Sequence, residues 1–189
     1  MLELVLARHG QSYGNLDPAS AGSDTDLTDL GREQAARLAH WLAAPEQGYA
    51  FTALYCSTMH RARQTAEIVN AQWGLDITFD PDLRETERRY QLPQRAAPLG
   101  LDPPPPFSPE YEALLRRVRR ATARILAENA GGQVLVVSHG GALGTMLRCM
   151  LGVHAMLLHT ELTALHGLRL EDGVWNLQYA NRQEHLIGP

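Results

Sequence analysis

The chain opens on Leu2-Glu3-Leu4-Val5-Leu6-Ala7-Arg8-His9-Gly10, an apolar run cut off by an arginine, a histidine and a glycine. An extended segment with alkyl side chains on both faces needs cover on both faces, which is the situation of a central strand in a parallel sheet. Arg8 and His9 would emerge at its carboxyl end. Open α/β sheets carry their ligand crevice outside the carboxyl ends of the strands, where the strand order reverses. A second segment has the same form: Val134-Leu135-Val136-Val137-Ser138 ends in His139-Gly140. Two strands that each deliver an imidazole to one sheet edge would join residues far apart in sequence into a single site.

The intervening sequence supplies the remaining elements. Residues Gln11 to Thr28, rich in Gly, Ser, Asn and Asp, read as a loop crossing that edge. Thr28 is the expected N-cap of a helix with Ala35, Leu38, Ala39 and Leu42 on its apolar stripe, ended by Pro45 and Gly48. Ala53–Cys56 reads as a strand leading through Ser57-Thr58 into a helix from about Met59 to Trp73, and Ile77 to Phe79 as a third strand bounded by Pro81. Pro109 starts a helix with Leu114, Leu115, Val118, Ile125 and Leu126 inward and its arginines largely outward, a solvated face. Gly141 to Leu151 forms the next helix, and Thr163–Leu170 with Val174–Tyr179 a hairpin about Glu-Asp-Gly. Between Asp82 and Pro109 periodicity dissolves into a mixed-charge cluster, Arg84 to Arg89, and a stiff run of four prolines after Asp102; such a region is usually a lid or binding loop. The expected fold is therefore an α/β, three-layer α/β/α sandwich with a mostly parallel central sheet and an antiparallel edge from the C-terminal hairpin. One domain would span residues 1–189, with a loop-rich lid region about 82–109.

Composition matters here for what it excludes. No lysine occurs, so all 17 basic residues are arginine, and neither a Gly-Lys phosphate loop nor a lysine Schiff base can exist. A net charge of −4 argues against nucleic acid as a partner. No apolar run reaches membrane-spanning length, so no membrane partner is expected. Cys56 and Cys149 lack metal-ligand spacing and read as reduced thiols of a cytoplasmic protein. With no His-Glu-x-x-His or cysteine pair, neither a metal nor another cofactor is expected. Oligomeric state stays open, a homodimer included.

At the active edge the sequence offers Arg8, His9, Asn15, Arg61, Glu85 and His139. Two guanidiniums imply an anionic oxygen ligand, because the planar fork pairs with phosphate or carboxylate. His139-Gly140 stands at a helix amino terminus, where backbone N–H groups also favour negative charge. A neutral imidazole can accept a phosphoryl group without a metal while cations hold the transferring oxygens. The other histidines, His40, His60, His154, His159, His166 and His185, show no such placement and read as structural or exposed.

These residues bring a family into view. Leu6-Ala7-Arg8-His9-Gly10-Gln11-Ser12 with Asn15 resembles the signature of the histidine phosphatase superfamily, which includes the cofactor-dependent phosphoglycerate mutases. The resemblance continues, in order, through Asp26–Ala35, Cys56–Ala66 and Val136–Gly141. It implies an α/β sandwich that needs no metal, with His9 as the nucleophile that becomes phosphohistidine. Arg8, Arg61 and His139 would complete the phosphate pocket, Asn15 would add a contact, and Glu85 would act as general acid and then base. Glu87, in Glu87-Arg88-Arg89-Tyr90, competes for the acid's role, since that segment is similar to a mutase Glu-Arg-His-Tyr. The missing lysine and the short stretch between Glu85 and His139 depart from the mutase pattern. A phosphomonoesterase acting on a small phosphorylated metabolite is therefore the leading expectation, followed by a mutase-type phosphotransferase and by a phospho-ligand-binding module without turnover. Substrate choice would lie in 88–107 and around 17–23.

Overall fold

The computed structural model describes residues 1–17, 23–86, 91–92 and 107–187. Glu87, Arg88, the four prolines and most of the expected lid lie outside the described residues, as do 18–22 of the first loop.

Six strands form one sheet: β1 (Leu2–Arg8), β2 (Phe51–Ser57), β3 (Ile77–Asp80), β4 (Gly132–Ser138), β5 (Leu165–Glu171) and β6 (Val174–Arg182), in the order β3-β2-β4-β1-β5-β6. The first four are mutually parallel, and β5 pairs antiparallel with both β1 and β6. The helices are α1 (Tyr13–Leu16), α2 (Asp29–Ala43), α3 (His60–Asn70), α4 (Pro109–Glu128) and α5 (Gly140–Leu151). α2 packs with α3, and α4 with α5.

Strand alternation divides the core into two layers. Leu4 and Leu6 of β1, with Val134 and Val136 of β4, pack with Leu114, Val118 and Ile125 of α4 and Leu143 and Met146 of α5. Val5 and Ala7, with Leu135 and Val137, pack with Leu38, Ala39 and Leu42 of α2 and Ala62, Ala66 and Val69 of α3. The helix that follows β1 thus covers one face, and the helix that follows β4 covers the other. Neighbouring strands whose chains depart to opposite faces leave a crevice at their carboxyl ends, and here those strands are the two that end in Arg-His-Gly and Ser-His-Gly.

Local chemistry explains where elements begin and end. Thr28 caps α2 by accepting the Gly31 N–H at 3.0 Å, and Ser108 caps α4 by accepting the Tyr111 N–H at 3.3 Å, with Pro109 at the first helical position. α3 stops at Asn70, short of the expected Trp73, because the Asn70 carboxamide bonds both backbone groups of Leu75 and turns the chain. The first loop also contains the four-residue helix α1, where the loop reading expected none. Of the α4 arginines, Arg124 and Arg120 are not simply solvated. They clamp the carboxylates of Asp80 and Asp82 at the end of β3, with Arg124 to Asp80 at 2.7 Å and Arg120 to Asp82 at 2.7 Å. Cys56 is buried in β2 and Cys149 partly buried in α5, both as free thiols.

Candidate active site

Register brings the two histidines together. β1 and β4 pair without a slip from Leu2 beside Gly132 to Arg8 beside Ser138, and the His9 N–H donates to the Ser138 carbonyl at 3.0 Å. The next residue on each strand is a histidine, so the rings leave the sheet as neighbours with centroids 5.0 Å apart. Both are shut off from solvent, at 2% exposure for His9 and 0% for His139.

The His9 ring has a defined tautomer. Its Nδ1 lies 2.6 Å from the Gly10 carbonyl oxygen, which can only accept, so Nδ1 carries the proton and Nε2 keeps its lone pair. Arg61, from the first turn of α3, donates its Nε–H to that lone pair at 3.1 Å and an Nη1–H to the Ser23 carbonyl at 2.7 Å. Arg8 donates Nη1–H to the Thr160 carbonyl at 2.5 Å, while its Nε is buried and unpaired among the described residues. His139 places Nε2 2.8 Å from Ser57 Oγ, and its Nδ1 is likewise buried and unpaired. Glu85 follows the turn after β3 and accepts the Gly141 N–H on Oε2 at 2.9 Å and the Thr86 N–H on Oε1 at 3.1 Å, which fixes its carboxyl on the amino terminus of α5.

Asn15 is placed differently from its sequence partners. Its Oδ1 accepts the Ser12 N–H at 2.9 Å and lies 3.0 Å from Ser12 Oγ, so the carboxamide oxygen closes a turn on the loop after His9. Gly140 begins α5, and a methyl group there would sit 3.7 Å from the Arg8 guanidinium carbon.

Electrostatics follow from this geometry. Burial and the cationic Arg8 and Arg61 hold the His9 imidazole well below the ordinary range, against the opposing pull of the Gly10 carbonyl. Burial, then His9, Arg61, Arg8 and Arg84, push His139 down in the same way. Both rings are neutral at pH 7. Burial also lowers Arg8 and Arg61, with Glu85 acting in the other direction on each, but guanidinium groups stay charged in proteins. The site therefore combines two neutral imidazoles, two buried cations and helix-terminal N–H groups, an arrangement suited to a tetrahedral oxyanion. Among the described residues no group of three or more His, Cys, Asp or Glu side chains is placed to hold a metal ion.

Several supporting residues escaped the sequence reading. Gly10 and Gly31 let two backbones touch: a Cβ on Gly31 would collide with the Gln11 carbonyl, and one on Gly10 with the Gly31 carbonyl. Thr65 accepts the Gly10 N–H at 3.1 Å, Gln34 accepts the Gln11 N–H at 2.8 Å, and Gln64 accepts the Leu27 N–H at 2.7 Å. The loop that carries His9 is thereby pinned by α2 and α3. Ser57 is the other omission. Its signal was its position, the last residue of a strand ending at the same edge. Two histidines read as structural or exposed, His166 and His185, are buried and hydrogen-bonded, to Thr160 Oγ1 at 3.2 Å and to Thr163 Oγ1 at 2.9 Å.

The family model of the histidine phosphatase superfamily (branch 1) matches residues 4–183. The chain belongs to this superfamily. Among curated relatives of the chain are the GpmB proteins of Citrobacter koseri and Escherichia fergusonii, each named a probable phosphoglycerate mutase. They are 32% and 33% identical over 170 residues, covering 82% of this chain and 77% of theirs. Solved structures with the same fold include the alpha-ribazole phosphatase of Shigella flexneri (TM-score 0.76, 22% identity, 96% of this chain and 97% of that one). A mycobacterial glucosyl-3-phosphoglycerate phosphatase in complex with VO3 shares it too (TM-score 0.72, 24% identity, 96% and 99%). Proteins that resemble this chain in sequence or in fold thus carry both phosphatase and mutase names. No helix among the described residues is long and apolar enough to cross a membrane.

Proposed function

We propose that this chain is a phosphomonoesterase that hydrolyses small phosphorylated metabolites through a phosphohistidine at His9. The observation that carries the reading is the His9 ring itself: Nδ1–H is committed to the Gly10 carbonyl, leaving the Nε2 lone pair beside Arg61, Arg8 and His139 in a buried, cation-rich pocket. Nε2 attacks phosphorus as the P–O bond to the ester oxygen breaks. Arg8 and Arg61 hold the phosphoryl oxygens while charge moves onto them. Glu85, as the carboxylic acid, gives its proton to the departing alkoxide. As the carboxylate it then takes a proton from the water that attacks phosphohistidine, which releases inorganic phosphate and restores His9.

Room for the leaving group adjoins the acid. A cleft of about 550 Å³ is lined by Glu85 together with Arg84, Thr86, Glu110 and Arg117. The absence of lysine weighs against mutase chemistry, since no lysine can grip the far end of a phosphoglycerate.

The test is release of phosphate from p-nitrophenyl phosphate and from a panel of phosphorylated acids and sugars, with acid quenching to trap an acid-labile phosphoenzyme. His9→Ala should abolish both turnover and labelling. The names of the curated relatives favour a second reading, a phosphotransferase of the phosphoglycerate mutase type. Conversion of 3-phosphoglycerate to its 2-isomer faster than phosphate release would select it. Phosphate binding with no turnover of any ester would instead select a binding module.

A further inference from the structure

We propose that Ser57 is a positioning residue for His139: its hydroxyl donates to Nε2 of that imidazole and fixes the ring as the Nδ1–H tautomer, which presents a proton donor to a phosphoryl oxygen. Ser57 is the last residue of β2, the strand next to β4, and both it and His139 are completely buried. The Ser57 Oγ to His139 Nε2 distance is 2.8 Å. Ser57 Oγ also accepts the Met59 N–H at 3.3 Å, so one of its two lone pairs is already used.

Counting donors and acceptors separates the two tautomers. Suppose Nε2 carries the proton. It then donates to Ser57 Oγ, the second lone pair is filled, and the hydroxyl proton is left buried without an acceptor among the described residues. Nδ1 becomes a bare lone pair, also buried and unpaired. That makes two unsatisfied polar groups. With the proton on Nδ1, the hydroxyl donates to Nε2 and accepts from Met59, and only the Nδ1–H remains. An oxyanion lying between His9 and His139 satisfies it, whereas a lone pair in the same place repels the oxyanion.

The choice matters because burial and the surrounding arginines keep His139 neutral, so the ring has one proton to offer rather than two. A ring that donates toward Ser57 has nothing left for the ligand. The neighbouring His9 uses the same device with a different partner, since there the Gly10 carbonyl holds the proton on Nδ1 and keeps Nε2 unprotonated, an acceptor for the Arg61 Nε–H. One imidazole is set as nucleophile and the other as donor, each by the group behind it.

The inference rests on reading His139 as a ligand of the phosphoryl group, and its test requires no turnover. Long-range proton–nitrogen correlation spectra of the uniformly 15N-labelled chain at pH 7, with His139 assigned from its loss in His139→Gln, report which ring nitrogen is protonated. In the native chain Nδ1 should be the protonated one, both alone and with inorganic phosphate. Ser57→Ala should shift the ring to Nε2–H or a mixture and weaken inorganic phosphate binding about tenfold, the scale of losing an orienting partner. Ser57→Thr, which keeps the hydroxyl, should restore both. A native His139 protonated on Nε2 overturns the proposal without any variant. So does a Ser57→Ala chain that keeps Nδ1–H and full phosphate affinity, or a Ser57→Thr chain that restores neither. Failure to hydrolyse any ester would count against the phosphatase reading and leave these spectra to decide the tautomer.

Discussion

Gly141→Ala separates the chemistry of Glu85 from the stability of the fold. An ideal Cβ on Gly141 would overlap Glu85 Oε1 and lie 3.0 Å from its Cδ, so one of the two must move. The obstacle is the end of a flexible carboxyl side chain rather than backbone, so Glu85 yields and the helix does not. Alanine in a helix is up to about 1 kcal/mol better than glycine. The displaced carboxyl loses its 2.9 Å bond from the Gly141 N–H, worth about 1 kcal/mol. These effects are similar in size and opposite in sign, so the urea midpoint should stay within about 0.5 kcal/mol of the native chain. Activity should not. A general acid contributes roughly 10²- to 10⁴-fold, and displacing it by an ångström should forfeit at least about 10²-fold of kcat on an alkyl phosphate, whose alkoxide needs a proton to leave. p-Nitrophenyl phosphate, whose phenolate leaves unaided, should lose less than about threefold in the same general-acid comparison. Steady-state kinetics on both esters, beside chemical denaturation, measure the contrast. Equal losses on the two esters, or no loss on either, would refute the assignment of Glu85, and a collapse in stability would refute the packing argument.

Four further outcomes follow from the geometry. Arg61→Lys should reduce kcat/KM by roughly 10²-fold and weaken inorganic phosphate binding, because an ammonium cannot reach His9 Nε2 and the Ser23 carbonyl at once; isothermal titration with phosphate checks it. The acid limb of the kcat/KM profile should lie well below pH 6.5, since His9 and His139 are both held below their ordinary value; a loss of activity centred near 6.5 would contradict this. Burial lowers His166 to about 4, and the ring accepts the Asn181 N–H on Nδ1. The unfolded chain then takes up a proton that the fold refuses. Stability from this group is complete above pH 6.5 and is lost as pH falls toward 4, by about 3 kcal/mol at most; urea midpoints of the native chain and His166→Gln across that range should converge at low pH. Thr163, buried with φ 56°, holds a left-handed conformation unfavourable to a β-branched residue, so Thr163→Gly should be about 1 kcal/mol more stable than Thr163→Ala; equal midpoints would remove the strain argument.

What the sequence disclosed was whatever repeats locally. Apolar runs ending in His9 and His139 mark strand ends, and Arg61 sits one residue into a helix following a strand, so strand, helix and shared edge can be read from spacing alone. The partners behind those groups cannot. Ser57 meets His139 across 82 positions and Thr65 meets Gly10 across 55, and while a strand end places Ser57 at the shared edge, its neighbours in sequence do not say which ring it will face. Glu85 is legible only as one charge in the mixed cluster from Arg84 to Arg89, and its hold on the amino terminus of α5 depends on the β3 turn meeting that helix. Asn15 shows the reverse limit, since the family pattern names the residue while the fold has its oxygen capping Ser12. The outward reading of the α4 arginines holds, but the ion pairs of Arg120 and Arg124 are invisible in sequence because the carboxylates they clamp belong to β3 and the turn after it.

The pairing of β1 with β4 joins the first strand of the chain to one that begins at residue 132. An anion held by both His9 and His139 would act as a rivet between opening and late sequence, and a nascent chain that has not yet emitted its fourth strand would have Arg8, His9 and Arg61 but not the imidazole that closes the grip. Occupancy by phosphate should then raise resistance to global unfolding by RT ln(1 + [phosphate]/Kd), with no protected subregion able to hold the ion by itself.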